Sequence, residues 1–143
     1  PVVLPGYPQL KLWPDAARAI GGPAASFESL HPDLAKGRVL APEGFATCHT
    51  PLRAIYVLDH SAQARIERLP LRDAFRAISA YGYAAALLGG NATTVVHLRL
   101  LAALAETVPT FVLGRPHALE ALPAVAALVA AHCAQIGEHA NGY

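Results

Sequence analysis

The sequence predicts a mixed α/β fold in a single domain over residues 1–143, on three observations. Leu52–Leu58 (Leu-Arg-Ala-Ile-Tyr-Val-Leu) is rich in β-branched and aromatic residues and reads as a buried strand. After it the spacing turns helical: Leu71, Ala74, Phe75 and Ile78 fall on one face. A short apolar strand, Pro109–Leu113, then separates two further helical stretches, an order that suits a mixed sheet with flanking helices. The chain has 143 residues, 54% hydrophobic and 15% charged, enough to bury a core and too apolar for disorder.

Taken in order, Pro1–Leu4 and Gln9–Trp13 are two extended segments around the turn Pro5-Gly6-Tyr7-Pro8. Pro14 opens a helix over Asp15–Ile20, where its missing N–H costs nothing, and Gly21-Gly22-Pro23 stops it. Trp13, the only tryptophan, follows Leu10 and Leu12 and is expected to be largely buried where strand meets helix. Ser26–Lys36 is weakly helical and interrupted by Pro32, and Gly37–Glu43 is a strand and loop. Leu52–Leu58 and the alternating Arg65–Leu69 form a hairpin around a turn at His60–Gln63. A helix from Leu71 follows. Asn91 caps the next one, which runs to about Val108 with Leu98, Leu101, Leu104 and Ala105 inward. Gly114-Arg115-Pro116 is a turn, and a last helix from about His117 buries Leu119, Leu122, Val125, Ala126 and Val129.

Composition removes several function classes. A net charge of +1 gives no electrostatic footprint for nucleic acid. The most apolar stretch, Ala118 to Cys133, is broken by Glu120 and Pro123 and reads as a core helix, not a membrane span. No basic start followed by an apolar run marks a signal peptide. Cys48 and Cys133 stand far apart with no partner motif, as two free thiols of a cytoplasmic protein do. The opening Pro-Val-Val-Leu-Pro, in a chain without Met, reads like the interior of a domain, so a fragment is expected.

Motifs that carry chemistry are sparse. A phosphate cradle needs Gly-x-x-x-x-Gly-Lys-Ser/Thr, whose backbone N–H groups wrap the phosphates. The chain has no Gly-Lys dipeptide, and Gly89-Gly90 before Asn91 reads as a chain reversal. His132, Cys133 and His139, like Cys48 and His49, lack a zinc spacing, so no metal site is expected. No Gly-x-Ser-x-Gly elbow supports a hydrolase triad. The segment Leu30-His31-Pro32-Asp33-Leu34-Ala35-Lys36-Gly37-Arg38 places Lys36 and Arg38 around a glycine in an expected loop. Two such cations suit a polyphosphate clamp, or else serve only solubility.

Three runs recur in order: Gly6-Tyr7-Pro8-Gln9-Leu10-Lys11-Leu12-Trp13-Pro14-Asp15-Ala16-Ala17, then Leu30-His31-Pro32 leading to Lys36 and Arg38, then Pro51-Leu52-Arg53-Ala54-Ile55-Tyr56-Val57-Leu58. Together with Val108-Pro109, Gly114-Arg115-Pro116 and Leu119–Ala131, they resemble the C-terminal half of bacterial HPr-kinase-related serine kinases, a group that includes kinases encoded beside lasso-peptide pathways. The resemblance covers nearly the whole chain. It implies the C-terminal part of a P-loop kinase core related to phosphoenolpyruvate carboxykinase. It also implies ATP and Mg²⁺ as cofactors and a protein or peptide serine as phosphoryl acceptor. That family's Walker-type loop and its metal and base aspartates precede the Gly-Tyr-Pro segment, and no residue here matches them. What carries over is Lys36 and Arg38, which match the family's basic loop, with contact to phosphate or to the transition state as the implied role.

The resulting expectation is a cytoplasmic kinase half that is inactive alone. Its partners would be the missing N-terminal P-loop segment and a serine substrate, with neither nucleic acid nor membrane, and with room for a homo-oligomer. The alternative is a non-catalytic interaction module derived from such a kinase, and a second rival is an unrelated α/β binding domain.

Overall fold

The computed structural model describes residues 1–19, 28–31, 34–40, 45–81 and 92–140. The fold is mixed α/β, with small sheets and helices, and divides into two compact units, one spanning Val2–Thr50 and the other Pro51–Tyr143 together with Pro1.

The first unit is built on a three-stranded antiparallel sheet. Its elements are β1 (Val2–Val3), β2 (Gln9–Leu12), α1 (Pro14–Ala19), β3 (Glu28–His31) and β4 (Leu34–Leu40), and the two-residue β5 (Thr50–Pro51) falls at the boundary between the units. The sheet order is β2-β4-β3. β2 pairs with β4 from Gln9↔Leu40 to Leu12↔Gly37, and β3 pairs with β4 through Glu28↔Arg38 and Ser29↔Gly37 before the register shifts to His31↔Leu34. Strand alternation divides β4 cleanly. Gly37 and Val39 are buried, whereas Lys36 and Arg38 point the other way and are half-buried. Helix α1 packs against β4, and among the unit's described residues Ala17 and Val39 are buried and apolar. Pro14 takes the first helical position, and the Ala17 N–H donates to the Trp13 carbonyl at 2.9 Å.

This unit corrects one expectation. Part of the stretch Ser26–Lys36, read as weakly helical, is strand: β3, and the start of β4. The local helical preference of that stretch is slight, and antiparallel pairing of β4, with Gly37 and Arg38 partnered on both sides, outweighs it. The Gly21-Gly22-Pro23 stop and Pro32 lie outside the described residues.

The second unit contains β6 (Ile55–His60), β7 (Arg65–Arg68), α2 (Leu71–Tyr81), α3 (Ala92–Thr107), β8 (Thr110–Arg115), a single 3-10 turn (Leu119–Ala121) and α4 (Leu122–Ala140). The sheet order is β6-β8-β7. β8 runs parallel to β6 from Ile55↔Thr110 to His60↔Arg115, and antiparallel to β7 from Arg65↔Gly114 to Arg68↔Phe111. The expected hairpin between β6 and β7 therefore does not form, because the later strand inserts between them. The reason lies in side-chain polarity. β8 (Thr-Phe-Val-Leu-Gly-Arg) is buried along most of its length and needs partners on both sides. Arg65, Glu67 and Arg68 of β7 are exposed and suit an edge. Leu52–Leu58 is partly a strand, as expected, but it begins at Ile55 and is not buried: Ile55, Tyr56 and Val57 are half-buried and Leu58 is 58% exposed.

Helices α2 and α3 pack on each other. Ala74 is 2% exposed and anchors α2, while Leu71, expected inward, is exposed. Ala105 is buried on α3, Leu101 and Leu104 are half-buried, and Leu98 is exposed. Val108 and Thr110, where the chain leaves α3 for β8, are the largest fully buried side chains among the described residues. The Val108 N–H closes the last helical turn on the Leu104 carbonyl at 2.9 Å. Gly114 and Arg115, expected as a turn, continue β8.

The last helix departs most from expectation. Val125 alone of its five expected core positions is fully buried; Leu119, Leu122 and Val129 are half-buried and Ala126 is exposed. Its apolar residues, mostly alanine and valine, run around the whole circumference, so the sequence marks no single inward face. Residues Leu119–Gly137, with mean hydropathy 1.5, are long and apolar enough by length and composition to cross a membrane, and only 6% of that window is buried, against the expectation of a core helix.

Candidate functional site

The two cations singled out in the sequence do not sit on a loop. Lys36 and Arg38 lie two residues apart on β4, so both project from one face of the sheet. The loop expectation is corrected for a physical reason: Lys36, Gly37, Arg38 and Val39 alternate polar and small-or-apolar, the two-residue period of a half-covered strand. The covered side carries Gly37 and Val39, and the half-open side carries the cations.

The register brings a third cation to them. Lys11 on β2 is paired with Arg38, and directly opposed residues of an antiparallel pair share a face. Lys11 is exposed. On the other flank Glu28 of β3 stands opposite Arg38 in the register. The row thus reads Lys11, Arg38, Glu28 across three strands, with Lys36 two positions back along β4.

Trp13 follows β2 and meets Lys36. The Lys36 Nζ lies over the indole ring, 5.1 Å from its centroid, inside cation–π range. Trp13 is 50% exposed, which corrects the expectation of a buried indole. The helix start needs no cover from the ring, because backbone hydrogen bonding from Ala17 to Trp13 already holds it. The indole turns instead to the cationic face of the sheet.

The second unit holds a different cluster, unmarked in the sequence reading. Tyr56 Oη lies 2.6 Å from His132 Nδ1, a hydrogen-bond distance, and 3.6 Å from Cys133 Sγ. Phe111 stacks on Tyr56 at 5.7 Å and takes the edge of His132 at 4.5 Å. Burial pushes the Tyr56 hydroxyl up to about 12, and the neighbouring Cys133 thiol adds to the shift. This phenol therefore keeps its proton and ties β6 to α4. The signal was present in the sequence only as the pair His132-Cys133, and nothing there linked it to Tyr56.

Beside β6 lies an apolar cleft of about 560 Å³, lined by Ile55, Tyr56, Val57 and Leu58 together with residues of α2 and α3, Ile78 and Leu101 among them. Elsewhere on α2 and α3, Ser79 Oγ, Thr94 Oγ1 and His97 Nε2 are buried without a hydrogen-bond partner, a local cost to stability. Both cysteines are free thiols. Among the described residues no three His, Cys, Asp or Glu side chains gather closely enough to hold a metal ion.

Comparison with protein-family models, with curated proteins and with solved structures finds no match to the chain.

Proposed function

We propose that the chain is the C-terminal half of an ATP-dependent serine kinase of the HPr-kinase-related kind, in which the face of β4 contributes cations to the transferred phosphate. One observation carries the reading: Lys36 and Arg38, which the sequence resemblance sets against that family's basic segment, share one face of a strand. A strand fixes the spacing of two cations far better than a loop does. Phosphoryl transfer is accelerated chiefly by positioning and by charge placed against the phosphate oxygens. The cradle of backbone donors, the Mg²⁺ ligands and the base that takes the serine proton must come from residues outside this sequence, which has no Gly-Lys dipeptide. ATP·Mg²⁺ supplies the phosphoryl group, and a protein or peptide serine receives it.

The test is a phosphoryl-transfer assay on the kinase that includes this chain. Lys36→Ala and Arg38→Ala are each expected to cut the rate by about tenfold or more, with the melting temperature little changed, since each removes about one charge-assisted contact to phosphate. Full activity in both variants would overturn the assignment. The apolar cleft beside β6 favours a second reading, a non-catalytic module that docks a partner protein. A protein that binds a partner but transfers no phosphate from ATP to any serine would favour it.

A further inference from the structure

We propose that Lys11 and Trp13 complete the anion site begun by Lys36 and Arg38, with Lys11 as a third cationic contact and Trp13 as the residue that positions the Lys36 ammonium. The inference deepens the kinase reading and rests on it for the identity of the ligand, an oligophosphate chain.

Lys11↔Arg38 is a directly opposed pair, so two like charges are held a strand's width apart on one face. Like charges in that arrangement repel and destabilise the sheet locally, all the more because Lys36 stands on the same face. In the register Glu28 of β3 stands opposite Arg38. Among the described residues Lys11, Lys36 and Arg38 gather on one face of the sheet, although the whole chain carries a net charge of only +1. Adjacent strands lie roughly 4.8 Å apart and alternate residues roughly 6.6 Å apart. A chain of three or more phosphates is long enough to span those spacings, so an oligophosphate laid along the face would meet more than one cation.

Trp13 gives the Lys36 ammonium a defined position. A free lysine side chain samples many rotamers and loses that freedom on binding. Resting over the indole, at 5.1 Å from the ring centroid, part of that loss is already incurred before the anion arrives. The ring does not touch the phosphate itself, so Trp13 is a positioning residue and acts only through Lys36.

The test uses the 143-residue chain and inorganic tripolyphosphate, followed by phosphorus NMR titration, with circular dichroism to confirm each variant's fold. The wild type should bind weakly, with an affinity that falls as salt rises. Lys11→Ala and Lys11→Gln should each weaken binding by about threefold or more, as Lys36→Ala does. Trp13→Ala should weaken it similarly, Trp13→Tyr should restore it, and Trp13→Ala should have no further effect in the Lys36→Ala background. Indole emission, which here reports Trp13 alone, should shift on titration of the wild type and not of Lys36→Ala. Undetectable tripolyphosphate binding, wild-type binding by both Lys11 variants, or a Trp13→Ala effect that persists without Lys36 would overturn the proposal. If the expected pattern holds while phosphoryl transfer ignores Lys36 and Arg38, the anion site stands and the kinase reading falls. Transfer that depends on Lys36 and Arg38 but not on Lys11 or Trp13 leaves the kinase reading standing and sinks this inference.

Discussion

Tyr56 holds its phenolic proton more tightly than an ordinary tyrosine, because partial burial beside the Cys133 thiol disfavours the phenolate. Its hydroxyl ionises near 12, against about 10 in the unfolded chain. Below pH 10 both states keep the proton and the contribution to stability is complete. Between about 10 and 12 the unfolded chain gives up its proton first, so stability falls as pH rises through that window. Tyr56→Phe cannot ionise and loses the hydrogen bond to His132 at every pH. It should melt lower than the wild type at pH 8, and the gap should narrow between pH 10 and 12. Thermal melts across that range check it, and parallel curves would show that Tyr56 is not shifted. Residue-scale chemistry of this kind was nearly invisible in the sequence. Tyr56 and His132 meet only because β6 and α4 are brought together, and Lys11 acquires its neighbours only from a strand register.

At the scale of elements, β8 shows what local pattern can and cannot reveal. Its existence was legible from Pro109 to Leu113, yet its place between β6 and β7 was not, since neighbouring segments with a short turn favour a hairpin. Gly114 belongs to that placement. A Cβ there would lie 2.7 Å from Ser61 Oγ and 3.0 Å from Arg65 Cγ, too close for either to remain in place. The Ser61 hydroxyl donates to the Gln63 carbonyl, so moving it breaks a turn contact. Gly114→Ala is expected to destabilise the protein by about 1–3 kcal/mol, the usual range for a forced overlap in a packed site. Chemical denaturation measures it, and a neutral result would mean that the strand edges yield easily. The most legible helix was α2, because a 3.6-residue apolar period is a local property. The cationic strand was misread for the opposite reason: its two-residue alternation spans too few residues to outweigh the loop signals around Pro32.

At the scale of the whole molecule, the kinase reading makes a negative prediction. Calorimetric titration of the chain with ATP·Mg²⁺ should show no micromolar binding. A phosphate cradle supplies several charge-assisted hydrogen bonds from fixed backbone donors, each worth about 1.5–3 kcal/mol, and the side-chain cations of β4 and β2 are too few to replace them. Micromolar affinity would show that the chain carries a nucleotide site of its own. The mixed α/β class was legible from the sequence, but the parallel pairing of β6 with β8 was not, and that pairing has a consequence for biosynthesis. Ile55 finds its partner Thr110 only after β7, α2 and α3 have been translated. The antiparallel ladder between β3 and β4, by contrast, joins near neighbours and can close almost as soon as it leaves the ribosome. Sheets with distant pairings fold slowly. For that interval the nascent Ile55-Tyr56-Val57-Leu58 run has neither strand beside it nor helix above it, which makes it the segment where chaperone capture or co-translational aggregation would begin.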